Sequence, residues 1–141
     1  MPQFQLEWVP KFVSDTTDND SDKAFTVPSN KHWEVQWVWV ELVSSGTAGN
    51  RQIVVEIQDG STDVIALVNA GAVQAASVTR NYLFSPYVGD LTSFRNTTYL
   101  TNPIPNFILR PGYIVRVYDK TAVDAAADDM VVHMMVREYG A

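Results

Sequence analysis

Apolar and polar residues alternate one by one through much of this chain, the period of a strand with one buried face. The clearest run covers residues 33–43. There Trp33, Val35, Trp37, Trp39 and Val43 fall on one face, and Glu34, Gln36, Val38, Val40 and Leu42 on the other. The second face begins polar and becomes apolar, which predicts a strand that runs from a half-exposed position into a covered one. Residues 51–57 give a second strand, with Ile53, Val55 and Ile57 on one face. Asp59-Gly60 then predicts a hairpin, because a tight turn needs positive φ, and residues 63–68 return as its partner strand. Residues 73–84 suit one long bent strand or two short ones. Arg110-Pro111-Gly112 is a turn signal launching residues 113–119, with Tyr113, Val115 and Val117 inward and Arg116 and Tyr118 outward. Residues 130–138 form the last predicted strand, with Met130, Val132, Met134 and Val136 on its core side.

The remaining stretches are less regular. Near the N-terminus Phe4, Leu6 and Trp8 alternate with Gln3, Gln5 and Glu7, and Pro10 interrupts the pattern before Lys11-Phe12-Val13. Residues 14–22 contain no apolar side chain and four aspartates, which predicts a solvated loop or flexible hinge. The turn at 44–50 holds two glycines able to take positive φ. Asp90 is placed to cap a short helical turn. Pro103 and Pro105 confine Ile104 to an edge strand or an extended arm. Residues 121–129, rich in alanine, suit either a helical turn or a long loop between strands.

Seven to nine short strands without a β-helix-β order predict an all-β fold: an antiparallel β-sandwich, jelly-roll-like, with an extended N-terminal segment. Residues 1–22 form an N-terminal arm or first strand plus an acidic flexible loop, and residues 23–141 the β-sandwich domain. At 141 residues this is the length of one domain.

Charge and composition narrow the chemistry. The formal net charge is −6, and the ten lysines and arginines are scattered rather than clustered, so no nucleic-acid partner is expected. No apolar run approaches the ~20 residues of a membrane helix, so no membrane partner is expected either. Residues 1–7 lack the basic and apolar regions of a secretory signal. The chain has no cysteine, which excludes disulfides and thiolate chemistry. His32 and His133 are the only histidines, and no Gly-x-Ser-x-Gly elbow accompanies them. Asp18, Asp20 and Asp22 have the spacing of the first calcium ligands in an EF-hand, but Lys23 stands where glycine is required and Ser29 where the bidentate glutamate belongs. Asp124, Asp128 and Asp129 are expected as turn and cap residues. The reading is therefore a protein that is not an enzyme, with no catalytic residue, no metal ligand set and no cofactor.

Aromatic residues carry what remains. Trp33, Trp37 and Trp39 on one strand face suit either a stacking platform for sugar rings or a packed core and interface. Phe4, Leu6, Trp8 and Phe12, beside the acidic loop, suit anchors at an interface with a neighbouring molecule.

Two blocks resemble small structural proteins of tailed bacteriophages. One is Lys31-His32-Trp33-Glu34-Val35-Gln36-Trp37-Val38-Trp39-Val40-Glu41-Leu42, followed by Gly49-Asn50-Arg51-Gln52. The other is Leu109-Arg110-Pro111-Gly112-Tyr113-Ile114-Val115-Arg116-Val117-Tyr118-Asp119, followed by Ala125-Ala126-Ala127-Asp128-Asp129-Met130. The similarity spans most of residues 24–138. It implies a virion component assembled in the bacterial host cytoplasm, with capsid decoration (cement) as the leading role. A head–tail junction, tail or fibre component is the nearest alternative, and a carbohydrate-binding sandwich is the alternative from another class. The implied partners are the major capsid protein or other virion proteins, with a homo-oligomer, dimer or trimer, on the shell.

Overall fold

The computed structural model describes residues 7–20 and 22–140, and among these it contains ten strands. They are β1 (Trp8–Asp15), β2 (Lys23–Thr26), β3 (Lys31–Val43), β4 (Ile53–Gln58), β5 (Val64–Asn69), β6 (Thr79–Phe84), β7 (Tyr99–Asn102), β8 (Ile108–Leu109), β9 (Ile114–Asp119) and β10 (Asp129–Gly140). The pairing is nested. β1 pairs with β10, β2 with β9, β3 with β8 and β4 with β5, all antiparallel. The chain is thus one long hairpin closed at the β4–β5 turn, and its successive pairs fall alternately in two sheets. Sheet one runs β1-β10-β3-β6-β7 with β8 also on β3, and sheet two runs β2-β9-β4-β5. This is a jelly roll. β6 and β7 are inserted between β5 and β8: β6 pairs with the second half of β3, and β7 lies parallel to β6.

Alternation supplies the core. Met130, Val132, Met134 and Val136 of β10 are buried between the sheets, opposed by Ile53, Val55 and Ile57 of β4 and Val115 and Val117 of β9 in the same core. The turn into β9 has the expected chemistry: Tyr113 N donates to Arg110 O, and Gly112 has φ +84°. At the β4–β5 hairpin the positive φ falls on Thr62 (φ 65°) rather than at Asp59-Gly60. There the Asp59 carboxylate holds the loop instead, accepting from the backbone N–H of Ser61 and Asp63.

One irregularity re-phases the longest strand. Val35 pairs with Val136 and Trp37 with Met135, so Gln36 is an extra residue on β3. Its carbonyl accepts a hydrogen bond from Ser85 Oγ (2.7 Å). Because side chains alternate with period two, one inserted residue moves everything beyond it to the opposite face. Trp33 and Val35 therefore point inward before the bulge, and Val38, Val40 and Leu42 point inward after it. Trp37 and Trp39 point outward. The expectation that Trp33 shares a face with them is corrected accordingly: Trp33 is core, only 2% exposed.

Other expectations change for local reasons. β1 continues through Pro10, which an edge strand tolerates because its missing N–H faces no partner. Asp90 starts no helix, and residues 121–128 take the loop alternative rather than the helical turn, with β10 beginning at Asp129. Ile104 is buried outside any strand, and His32 belongs to β3 rather than to a loop. β5, the edge of sheet two, exposes Val64, Ile65 and Leu67.

Deleting Gln36 removes the phase shift and forces either Trp33 and Val35, or the Val38 side of the strand, out of the core. At about 1.5–3 kcal/mol for each large side chain exposed, the deletion is expected to cost roughly 3–6 kcal/mol by chemical denaturation. Gln36→Ala, which keeps the extra residue, should stay within about 1 kcal/mol of the wild type.

Candidate functional site

The outward face of sheet one gathers aromatic side chains from β1 and β3, with β10 between them. Phe12 of β1 lies opposite Met135 of β10, which lies opposite Trp37 of β3. The Phe12 and Trp37 rings are 6.2 Å apart, tilted by 52°. The next row is Ser14, His133, Trp39 and Leu83, with Ser14 Oγ 2.8 Å from His133 Nδ1. Trp37, Trp39 and Leu83 line an open hollow of about 270 Å³. Trp8 packs beneath the Arg137 guanidinium, 4.5 Å from the ring centroid. Phe12 is 66% exposed.

Two groups of residues singled out separately, Trp8 with Phe12 and Trp37 with Trp39, thus come together on one side of one sheet. Trp33 does not join them. Its indole N–H donates to Glu138 Oε2 (2.9 Å) inside the sandwich, and Lys11 Nζ sits 5.8 Å from its ring centroid. Phe4 and Leu6 lie outside the described residues.

A second site closes one end of the sandwich. The strand phases that bury the core continue one step further and carry charged residues inward: Lys23 before Phe25, Arg51 before Ile53, Asp119 after Val117, and Asp128 before Met130. Arg51 and Asp128 form a fully buried, two-pronged ion pair, Nε to Oδ2 at 2.8 Å and Nη2 to Oδ1 at 3.0 Å. Arg51 Nη1 also donates to Gly49 O, and Ser45 N donates to Asp128 Oδ1 (2.7 Å). Asp119 Oδ1 accepts from Gln52 N, Thr121 N and Thr121 Oγ1. Lys23 Nζ donates to Thr17 O and Asn19 Oδ1, and lies 3.6 Å from Asp15 Oδ1.

Asp20 completes this end. Thr16, Thr17, Asp18 and Asp22 of the loop expected to be solvated are exposed, but Asp20 is drawn in, 4% exposed, beside the fully buried Lys23 of β2. The loop is held by Asp20 N donating to Ala125 O and Met130 N donating to Asn19 O. One oxygen each of Asp20, Asp119 and Asp128 lie within 4.8 Å of one another. Burial, then the neighbouring Asp119 and Asp128 charges, push the Asp20 carboxyl up to about 6. For Asp128 burial raises the value, but the Arg51 guanidinium and Ser45 N–H outweigh it and hold the carboxyl below its usual range.

Asp20 and Asp128 belong to two separate acidic groups about a hundred residues apart in sequence, and Asp119 to neither; only the topology joins the three. A signal was present for Asp119 and Asp128, which continue the inward phase of β9 and β10. Asp20, in a loop, offered none.

No family model matches the chain, and no curated protein matches it. Among solved structures it is similar to a protein described under "Bacillus endospore appendages form a novel family of disulfide-linked pili", with 11% identity, TM-score 0.42, and coverage of 99% of this chain and 94% of that one. It is also similar to a chain of turnip yellow mosaic virus, with 9% identity, TM-score 0.37 and coverage of 99% and 84%. A third is a chain of tomato aspermy virus, with 18% identity, TM-score 0.37 and coverage of 98% and 80%. The assignment of a jelly roll rests on the strand pairing itself.

Two outcomes are expected at the polar end. Asp128→Ala leaves the Arg51 guanidinium buried and unpaired, and should lower the unfolding free energy by about 3–5 kcal/mol. In a chelating buffer, the folded chain holds a proton on Asp20 that the unfolded chain releases near pH 4. Stability should therefore fall as pH rises from about 4 through about 6, by roughly 2–3 kcal/mol. Asp15, Glu56, Asp124, Asp128 and Glu138, whose carboxyls are held low, act with the opposite sign, at lower pH. Asp20→Asn should remove the decline, as read by denaturation at a series of pH values.

Proposed function

We propose that this protein is a non-enzymatic structural protein of a bacteriophage virion, a capsid decoration protein that docks on the shell of the major capsid protein and stabilises the head. The observation that carries the reading is the outward face of sheet one. Trp8, Phe12, Trp37 and Trp39 stand there with Arg137, the residue types that dominate binding energy at protein interfaces. Large rings with few rotatable bonds lose little entropy when covered, so such a face suits a permanent contact.

The choice of a protein partner over a glycan rests on the lining of the hollow. A sugar site sets hydrogen-bonding groups beside its stacking ring to satisfy the hydroxyls, whereas Trp37, Trp39 and Leu83 present an apolar floor. The choice of a phage virion rests on the resemblance of residues 31–42 and 109–119 to phage structural proteins. The exposed apolar edge of β5 supports assembly as a dimer or trimer, since a free edge with Val64, Ile65 and Leu67 is a template for pairing with another copy. Residues 1–13 serve in this reading as the segment that meets the neighbour, with Phe4 and Leu6 as further anchors.

The test is co-sedimentation with shells of the cognate major capsid protein. Wild-type protein at about micromolar concentration should pellet with the shells at many copies per particle, and Phe12→Ala and Trp37→Ala should each weaken binding by about 30-fold or more. Phe12→Ala should leave stability within about 0.5 kcal/mol of wild type, because its ring is mostly in solvent. Shells that recruit none of the wild-type protein overturn the decoration role. Recruitment to tails would place the protein at the head–tail junction, tail or fibre, and glycan binding lost in Trp37→Ala would favour the carbohydrate reading.

A further inference from the structure

We propose that Asp20, Asp119 and Asp128 form a site for one hard divalent cation, of the calcium class, at the polar end of the sandwich. The three carboxylates come from the β1–β2 loop, the end of β9 and the residue before β10, so the site joins both sheets and the loop between them. Their oxygens lie within 4.8 Å of one another. Calcium binds oxygen at about 2.4 Å, so ligands on opposite sides of the ion stand about 4.8 Å apart. A donor set of carboxylates alone suits hard ions such as calcium, magnesium or manganese rather than the softer transition metals, which favour nitrogen and sulfur.

The unused oxygens point to a ligand independently of the cluster. Asp20 is 4% exposed, yet neither of its carboxylate oxygens accepts a hydrogen bond from any described residue, and Asp119 Oδ2 is in the same position. Buried carboxylate oxygens otherwise find partners, because leaving them bare forfeits all their hydration. The local cations are already committed: Arg51 to Asp128, and Lys23 to Thr17 O, Asn19 Oδ1 and Asp15. Among the described residues no ion pair reaches Asp20 or Asp119. Three carboxylates against the one guanidinium of Arg51 leave two negative charges, the balance a divalent ion neutralises.

The surroundings also fix the ligands in place. Three donors hold Asp119 Oδ1 and leave Oδ2 buried without one. Arg51 and Ser45 N hold Asp128 while leaving Oδ2 with a single hydrogen bond and a free lone pair. Such supporting bonds orient metal ligands in characterised sites.

The experiment is calorimetric titration of the chelator-stripped wild type with calcium and, separately, magnesium. One calcium per chain is expected to bind, with Kd below about 10⁻³ M, and at about 100-fold excess over Kd to raise Tm by about 5–10 °C. Asp20→Asn and Asp119→Asn should each weaken binding at least about tenfold. Asp119→Asn keeps the Oδ1 acceptor that the backbone needs. A readout that needs no variant is amide hydrogen exchange of the wild type, which calcium should slow in residues 17–20 and 119–129. Absence of binding by either ion up to about 10⁻³ M overturns the site. Binding that both substitutions leave unchanged, or that leaves exchange in these segments unaltered, means an adventitious ion only and equally overturns it.

Discussion

The single extra residue at Gln36 sets the two faces of the central strand against their simple alternation. Without it, β3 would present Trp33, Val35, Trp37 and Trp39 to one side, and Val38, Val40 and Leu42 to the other. With it, the interior receives Trp33 and Val35 from one half of the strand and the three aliphatic residues from the other. Trp37 and Trp39 are released to the surface, where Phe12 and Met135 complete their row. Core and candidate interface are therefore two products of one backbone irregularity, secured by the Ser85 hydroxyl at the bulge carbonyl. Bulges are common where a side chain must be re-aimed for function.

Much of the fold was legible in the alternation. β4, β5, β9 and β10 stand where period two placed them; the inward residues of β4, β9 and β10 are core, and Ala66 and Val68 of β5 pack against it. What misled was phase. The second face of residues 33–43 changes from polar to apolar midway, and that change is the imprint of the bulge, since an inward set that jumps by one position looks like a face changing character. The same logic exposes the polar end. Arg51, Asp119 and Asp128 each continue an apolar inward series by one step, so a strict extension of phase places charged groups between the sheets. Their mutual proximity was not legible, because it depends on which strand ends the nested hairpin brings together. Pro10 departs from expectation for a simpler reason: local propensity yields to position at a sheet edge.

The two sites divide the labour of the molecule between its surface and its end. The aromatic face lies on β1, β10, β3 and β6, four neighbouring strands of one sheet, so its geometry is as rigid as the sheet itself. At the polar end the Arg51–Asp128 pair and its hydrogen bonds hold the β3–β4 turn against the segment before β10, and backbone hydrogen bonds of Asn19 and Asp20 add the β1–β2 loop. That pair fixes where β10 enters the sheet, and β10 carries Met135 and Arg137 of the outward face.

The nested pairing also bears on how the chain reaches this state. β10 lies between β1 and β3 and pairs with strands whose residues precede it by about a hundred positions or more, Trp8 with Tyr139 among them. Contacts so distant in sequence must absorb a large loop-closure entropy before they gain any burial. The β4–β5 hairpin, by contrast, closes over a few residues and is the natural starting point, with the outer pairs added in turn. Sheet one remains open until β10 arrives, leaving the inner faces of β1 and β3 in water. During synthesis that interval lasts until residues 129–140 are free of the ribosome, the period in which the half-built sheet is most open to capture by another chain.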